Sequence, residues 1–338
     1  MPVAEKALIA QIRRLATGRG PSKNRHRTAR ENPVVIAGIG DDCAVLCLPP
    51  GRESLVTTDF SLEGIHFRRD WHPPESVGHR CLARGMSDIS AMGGDPVAAF
   101  LSLALPRDLP QAWVERFLRG LIALAEKFAV TLAGGDTAQS PNGVLSDIIV
   151  VGTVPKGKAV LRSGARPGDR IYVSGELGGS AAALQQMGLR QLAKPKRKLN
   201  SAEYPRHFFP EPRIKLGRML REKGLASAMI DTSDGLSTDL AHLCTASNVS
   251  AELDLAALPL HPLAAALDDR AQITALLHGG EDYELLFTAP RNRTIPSRIA
   301  GVQINRIGHI TRTRKILMRN RRGVARKLDP QGWEHFRH

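Results

Sequence analysis

Six places along the chain share one signature: an acid set among glycines or hydroxyl residues, where an apolar run or a helix gives way. They are Asp41-Asp42, Asp59, Asp88, Asp136, the pair Asp231 and Asp234, and Glu281-Asp282. A fold for this chain must either scatter these acids or gather them. Gathered, they form a basin of negative charge that is unstable unless cations sit among the carboxylates. Mg²⁺ suits such a basin because it prefers oxygen donors, keeps several waters and usually travels with phosphates. The stretch Val56–Phe67, VTTDFSLEGIHF, is the clearest case. Its β-branched opening predicts a strand that ends at Asp59 and then turns through Glu63-Gly64 to His66. Thr57-Thr58-Asp59 offers two hydroxyls and a carboxylate in a row; taken alone, the triplet also suits a strand closing in an Asp-capped turn.

At 338 residues the chain exceeds one core of usual size, so two domains are expected. Hydrophobic residues make up 42% of it, yet no apolar run nears the ~20 residues that span a bilayer. The opening MPVAEKALIAQIRRLA has no signal-peptide apolar core, which predicts a soluble, cytoplasmic protein with no membrane partner. Cys43, Cys47, Cys81 and Cys244 form neither CxxC pairs nor a zinc spacing with histidine, so they read as reduced, structural thiols.

The formal charge of +14 raises the question of a polyanionic partner. The excess gathers in Arg19–Arg30, Lys194–Lys198 and Arg312–Lys327, while the motif segments carry the acids. Aromatics are only 4% of the chain and none forms a stacking platform in those runs, which disfavours nucleic acid and favours a solvated basic surface.

In chain order, Ala4–Ala16 reads as an amphipathic helix, followed by the basic linker. Val34–Gly40 and Ala44–Leu48 read as short strands flanking the acidic turn. Pro74–Gly94 reads as a helix carrying Asp88 in its interior, where an Asp is mildly unfavourable and needs something to hold it. Val97–Leu105 reads as a strand, Gln111–Ala129 as a helix, Val130–Leu132 as a strand emptying into Gly134-Gly135-Asp136, and Val144–Val154 as another strand. Arg162, in LRSGARPGD, is either a phosphate clamp through its two-pronged guanidinium or a solvent-facing turn residue. Gly175–Gly188 reads as a glycine turn opening a helix whose first N–H groups could face an anion. Met229-Ile230 leads into DTSDG, a helix cap with more acids than a cap requires, and Glu281-Asp282 stand just before a strand at 284–288. Neither a Walker loop nor a dinucleotide fingerprint is present, and no Ser-His-Asp or HExxH pattern points to acyl transfer or zinc hydrolysis. What remains is phosphoryl transfer, in which metals neutralise charge and the protein mainly positions.

The series GIGDDCAVL, TTDFSLEGIHF, SDISAMGGDP, AGGDT, LRSGARPGD, DTSDGLSTDL and GGEDYELLFT, in this order from about residue 34 onward, resembles the thiamine-monophosphate kinase family. The wider superfamily of aminoimidazole ribonucleotide synthetase, selenophosphate synthetase and the hydrogenase maturation dehydratase shares parts of it. The resemblance implies an α+β fold in two domains: an N-terminal mixed-sheet domain that pairs into a barrel across a homodimer, and a C-terminal α/β domain. The expected layout is an N-terminal helix and basic linker at 1–33, an ATP- and Mg²⁺-binding, dimerising domain at 34–154, and the α/β domain at 155–338. It implies transfer of the γ-phosphoryl of the co-substrate ATP to thiamine phosphate, assisted by several Mg²⁺ ions and with no catalytic acid or base.

Carried over by motif, Asp42, Thr57, Thr58, Asp59, Asp88, Asp136, Asp231 and Asp234 would hold Mg²⁺. Arg119, Gly135, Asp136, Arg162 and Ser233 would contact ATP, and His66, Glu281 and Trp333 would face the acceptor. Trp333 suits a cation–π contact with a thiazolium ring and equally suits plugging a core edge; His66 is open to a similar structural reading. Two positions depart from the family pattern: Gly85, where the family has Asn, and Ala138, where it has Thr. Another superfamily enzyme acting on a different acceptor, or a nucleic-acid-binding protein using the basic runs, are the competing readings.

Overall fold

Leu8 and Ile12, a turn apart and buried, mark the inner side of the first helix, α1 (Glu5–Thr17). The computed structural model describes residues 5–17, 34–39, 43–188, 200–313, 315–320 and 322–336. The chain divides into two units, Met1–Ile89 with Asp95–Gly157, and Ser90–Gly94 with Lys158–His338. Both carry a sheet, so the fold is a mixed α/β chain with two sheet-bearing units. No helix among the described residues is long and apolar enough to cross a membrane.

In the first unit, β1 (Val35–Ala37) and β2 (Val45–Leu46) pair antiparallel. Then come β3 (Arg52–Leu62), α2 (Pro74–Ala91), β4 (Asp95–Pro106), α3 (Gln111–Lys127), β5 (Thr131–Ser140) and β6 (Leu145–Pro155). The four long strands make one sheet in the order β3-β6-β4-β5. Only β4 and β5 run parallel, as their joining helix α3 requires. Helix α2 lies on one face of this sheet with Leu82, Met86 and Ile89 buried, and two glycines let α3 approach it. A Cβ on Gly78 would come within 1.9 Å of the Phe117 carbonyl oxygen, and one on Gly120 within 1.9 Å of that of Glu75. Gly85 has a comparable reason: its missing side chain is replaced by Val150, whose Cγ2 would stand 2.7 Å from an added Cβ.

Two strands run further than their local sequence predicts. β3 does not end at Asp59, because its pairing with β6 continues in register from Arg52–Pro155 to Leu62–Leu145. β5 likewise runs through Gly134-Gly135-Asp136, where a register shift near Phe100 and a φ of 148° at Gly135 bring the backbone against the Leu101 carbonyl. Ladder hydrogen bonds on neighbouring strands outweigh the turn tendency of the glycines.

The second unit contains β7 (Arg170–Ser174), α4 (Gly179–Gln186), α5 (Pro205–Phe208), α6 (Ile214–Glu222), β8 (Ala228–Asp231), α7 (Leu236–Ala246), β9 (Ser250–Asp254), α8 (Pro262–Ala265) and α9 (Asp269–His278). It closes with β10 (Leu285–Ala289), β11 (Arg298–Ile299), β12 (Val302–Thr311), β13 (Leu317–Arg319) and β14 (Ala325–Lys327). The sheet order is β14-β13-β9-β12-β7-β10-β8, with β11 beside β12. Helices cover both faces of its middle. Ile171, Val173, Ile230 and Leu286 pack with Leu240 and Leu243 of α7, while Tyr172, Met229, Leu285 and Phe287 pack with Leu216 and Leu220 of α6. Strands buried on both faces are continuous apolar runs, as β8 and β10 are. Burial also pushes the Cys81 and Cys244 thiols up, to about 11 and about 12 respectively, so both stay protonated. Of the basic runs, Arg19–Arg30 and Lys194–Lys198 lie outside the described residues, and part of Arg312–Lys327 forms β13 and β14.

Candidate active site

Side chains alternate along a strand, and this alternation divides the acids of the first unit. Thr57 and Asp59 point to the face of the sheet that α2 covers. There the Thr57 hydroxyl donates to Asp88 of α2, and Asp59 stands 3.8 Å from the Arg84 guanidinium one turn earlier on that helix. Asp88, in the last turn of α2, is therefore held by a strand hydroxyl. Thr58 points the other way and donates to Asp147 of β6 at 2.6 Å. On this outer face Phe60, Asp147, Ser102 and Asp136 face one another across β3, β6, β4 and β5. The first unit thus holds two acidic places, Thr57/Asp59/Asp88 inside and Thr58/Asp147/Asp136 outside, where the sequence suggests one. Asp42 lies outside the described residues.

The Asp136 carboxylate is exposed and accepts the Thr137 amide at 2.8 Å; Gly135 precedes it. His66 follows β3, its Nδ1 accepting the Leu62 amide at 3.0 Å, beside a small cavity shared with Ser61, Phe67, Arg80 and Arg84. Arg119 is not brought to either acidic place. It projects from α3 near Glu75, about 20 Å along α2 from Asp88; burial works to raise that carboxyl, but the Arg116 hydrogen bond and the charges of Arg116 and Arg119 hold it below the usual range.

In the second unit the two acidic loops are joined. Past the end of the β8–β10 ladder the Thr232 amide donates to the Glu284 carbonyl at 2.8 Å, the Tyr283 amide to Thr232 at 3.0 Å, and the Glu281 amide to Ser233 at 2.8 Å. Glu281 and Tyr283 adopt φ of 65° and 50°, a costly conformation for side-chain-bearing residues that these bonds hold in place. Asp231 is 2% exposed at the end of β8. Burial first, then the charges of Asp231 and Asp234, hold the Asp239 carboxyl well above the usual carboxylate range, although the Gly235 and Asp234 amides act against this. The charges of Asp231 and Asp234 thus bear on Asp239 in the first turn of α7. The helix is capped by Gly235, whose amide donates to the Asp239 carboxylate reaching back from the first turn, at 3.0 Å.

Arg162 sits exposed in a short 3₁₀ turn, with its carbonyl accepting the Ser247 hydroxyl. Trp333 is 45% exposed, and its amide donates to the Asp234 carbonyl at 2.9 Å, so the aromatic stands beside the acidic loop. The first N–H groups of α4 do not face an open anion site. They are taken by Asp282, whose carboxylate accepts the Gly178 amide at 2.6 Å and the Ser180 amide at 3.2 Å. Burial pushes Asp282 up to about 7 despite these bonds. Next to it, Glu284 is fully buried and bound by Arg206 at 2.7 Å, by Arg213 and by the Ser174 hydroxyl.

Comparison with known proteins shows the family of the chain. The AIR synthase related protein N-terminal domain matches residues 40–188, and the corresponding C-terminal domain matches 166–318. A thiamine-monophosphate kinase of Escherichia coli K12 is 40% identical over 310 residues, 89% of this chain and 92% of the relative. The chain belongs to the thiamine-monophosphate kinase family. A crystal structure of the family member from Stenotrophomonas maltophilia K279a superposes with a TM-score of 0.77 at 34% identity, covering 94% of this chain and 97% of the other. Another solved family structure, AaThiL complexed with AMPPCP and TMP, has a TM-score of 0.74 at 33% identity and covers 86% of this chain and 89% of the other. The structure sets Asp147 and Asp239 beside these clusters, two acids that the sequence motifs do not single out. Asp147 interrupts the apolar run of β6, and Asp239 is the third Asp of DTSDGLSTDL, four residues after Gly235; either pattern was a usable signal.

Proposed function

We infer that the chain transfers the γ-phosphoryl group of ATP to thiamine phosphate, giving thiamine diphosphate and ADP. One observation carries this reading: a relative 33% identical along most of the chain is complexed with AMPPCP, an ATP analogue, and TMP. The acceptor is a phosphate ester whose second pKa is about 6, so its attacking oxygen is ionised at neutral pH and needs no general base. What opposes reaction is repulsion between two polyanions. Mg²⁺, when bound, neutralises that charge and bridges phosphate oxygens.

The donor set fits this ion. Carboxylates and hydroxyls are hard oxygen ligands, and the repulsion felt at Asp239 is what a cation relieves. No three Asp, Glu, His or Cys side chains among the described residues form a preformed cage. Ions held by one or two carboxylates, with waters and substrate phosphates completing the shell, are the arrangement we propose. Thr57, Asp59 and Asp88 would serve one place, Thr58 and Asp136 a second, and Asp231 and Asp234 a third, with Asp42 added from the family motif. Arg119, Gly135, Asp136, Arg162 and Ser233 would meet ATP. His66, Glu281 and Trp333 would meet the acceptor. The first unit would then bind ATP and Mg²⁺ and dimerise, through the outer face of the β3-β6-β4-β5 sheet. Val56 and Phe60 lie there 66% and 56% exposed, apolar surface that a second copy would cover. A cytoplasmic location belongs to the same reading, because ATP is the co-substrate.

The test is ADP and thiamine diphosphate formation from ATP and Mg²⁺, with and without thiamine phosphate. Turnover should require all three, and Asp59→Asn should lower kcat at least about a hundredfold with an unchanged circular dichroism spectrum. ADP release that ignores thiamine phosphate would point to another superfamily acceptor and sink the reading.

A further inference from the structure

Three successive backbone amides of the C-terminal segment are fastened to the loop and first turn that carry Asp234. Gln331 donates to the Ser237 hydroxyl at 3.3 Å, Gly332 to the Thr238 hydroxyl at 3.0 Å, and Trp333 to the Asp234 carbonyl at 2.9 Å. The fit admits no side chain in the middle: a Cβ on Gly332 would lie 2.1 Å from the Asp234 carbonyl oxygen and 2.7 Å from the Thr238 hydroxyl. Ser237 has a second attachment. Its hydroxyl is 2.8 Å from Nδ1 of His278, the last residue of α9, three positions before Glu281. Glu281 in turn is tied by its amide to Ser233. The first turn of α7 is thus the common anchor of Trp333 on one side and the Gly279–Glu281 turn on the other.

We propose that Ser237 and Thr238 are positioning residues for the acceptor, clasping Gln331–Trp333 so that the indole of Trp333 is held at a fixed place relative to Glu281. This rests on the kinase reading above and deepens it: the clasp acts on the thiazolium-bearing end of thiamine phosphate and leaves ATP alone. A serine and a threonine at the second and third positions of a helix can serve local stability only. The clasp differs from such a role in its consequence, because losing it frees an aromatic that would touch one substrate and not the other. The expected loss is that of a cation–π contact, about three- to thirtyfold in acceptor binding.

The experiment uses the full chain with Thr238→Val, Thr238→Ser and Gly332→Ala. Steady-state kinetics are measured against each substrate, and amide hydrogen exchange is followed over residues 329–336. Thr238→Val should raise the KM for thiamine phosphate about tenfold and leave the KM for ATP within about twofold, and both Thr238→Val and Gly332→Ala should speed exchange of the 331–333 amides. Thr238→Ser keeps the hydroxyl and should bring both readouts back towards wild type. Unchanged exchange in Gly332→Ala and Thr238→Val would show that no clasp exists. Faster exchange with an unchanged KM for thiamine phosphate, or equal rises in both KM values, would show that the clasp does not position the acceptor site. A wild-type protein that forms no thiamine diphosphate is seen before any variant is compared; it refutes the kinase reading and removes the clasp's purpose with it.

Discussion

Replacing Glu284 by glutamine keeps the size of the side chain and removes one charge from a fully buried position. The wild-type carboxylate is bound by Arg206 through Nη1 at 2.7 Å, by Arg213 through Nε at 2.8 Å and through Nη2, and by the Ser174 hydroxyl. In the variant one acceptor oxygen becomes an amide donor aimed at guanidinium hydrogens, and two arginines lose their counter-charge. Removing one partner of a buried ion cluster costs about 3–5 kcal/mol. Here water relieves part of it, since the Arg206 and Arg213 side chains are 25% and 14% exposed while Glu284 is 0% exposed. The lower end, about 3 kcal/mol, is therefore expected. At about 2–4 °C per kcal/mol for a domain of 150–250 residues, that is a fall in Tm of roughly 6–12 °C. Scanning calorimetry measures it, with Glu252→Gln as the control. Glu252 pairs with Arg319 at 2.6 Å on the surface, where such pairs contribute about 0–1 kcal/mol. If Glu284→Gln melts no lower than Glu252→Gln, the cluster does not hold this part of the fold and the reasoning fails.

Two further outcomes follow from the same geometry. Asp282 has its folded pKa raised to about 7, above an unfolded value near 3.9, so between those pH values the native state binds the extra proton. Its stabilising contribution is complete below about pH 4 and is lost as pH rises through about 7. Urea titrations should show wild type losing up to about 1.4 kcal/mol per pH unit relative to Asp282→Asn across that window; parallel pH profiles for the two proteins would exclude a neutral buried Asp282. On the outer face of the first sheet, Val56→Lys with Phe60→Lys should convert a dimer into monomers, as read by light scattering, with both sites exposed in the single chain. A wild-type monomer, or a double variant that stays dimeric, would assign that face elsewhere.

How far residues alone lead can be judged at particular places. The alternation of Thr57, Thr58 and Asp59 was readable, and it already says that the middle hydroxyl cannot share a face with its neighbours. The local sequence hides it by predicting a strand end at Asp59, and only pairing with β6, some ninety residues away, carries the strand to Leu62. The zipped loops of the second unit follow the same rule: DTSDG and GGEDY announce themselves separately, and the glycines show that something must come close. What comes close is set by the β8–β10 ladder, which lies between partners more than fifty residues apart. Local motifs are weakest where a distant residue has already met the need they reveal. The glycine turn before α4 correctly marks a helix end with free N–H groups, and on sequence grounds those groups await an anion. Asp282, 104 positions from Gly178, is that anion. A helix N-terminus therefore states a demand for negative charge without saying who supplies it, and here the supplier stands next in the chain to Glu281. Tying α4 to Asp282 makes the position of the Gly279–Glu281 turn depend on a helix far from it in the chain.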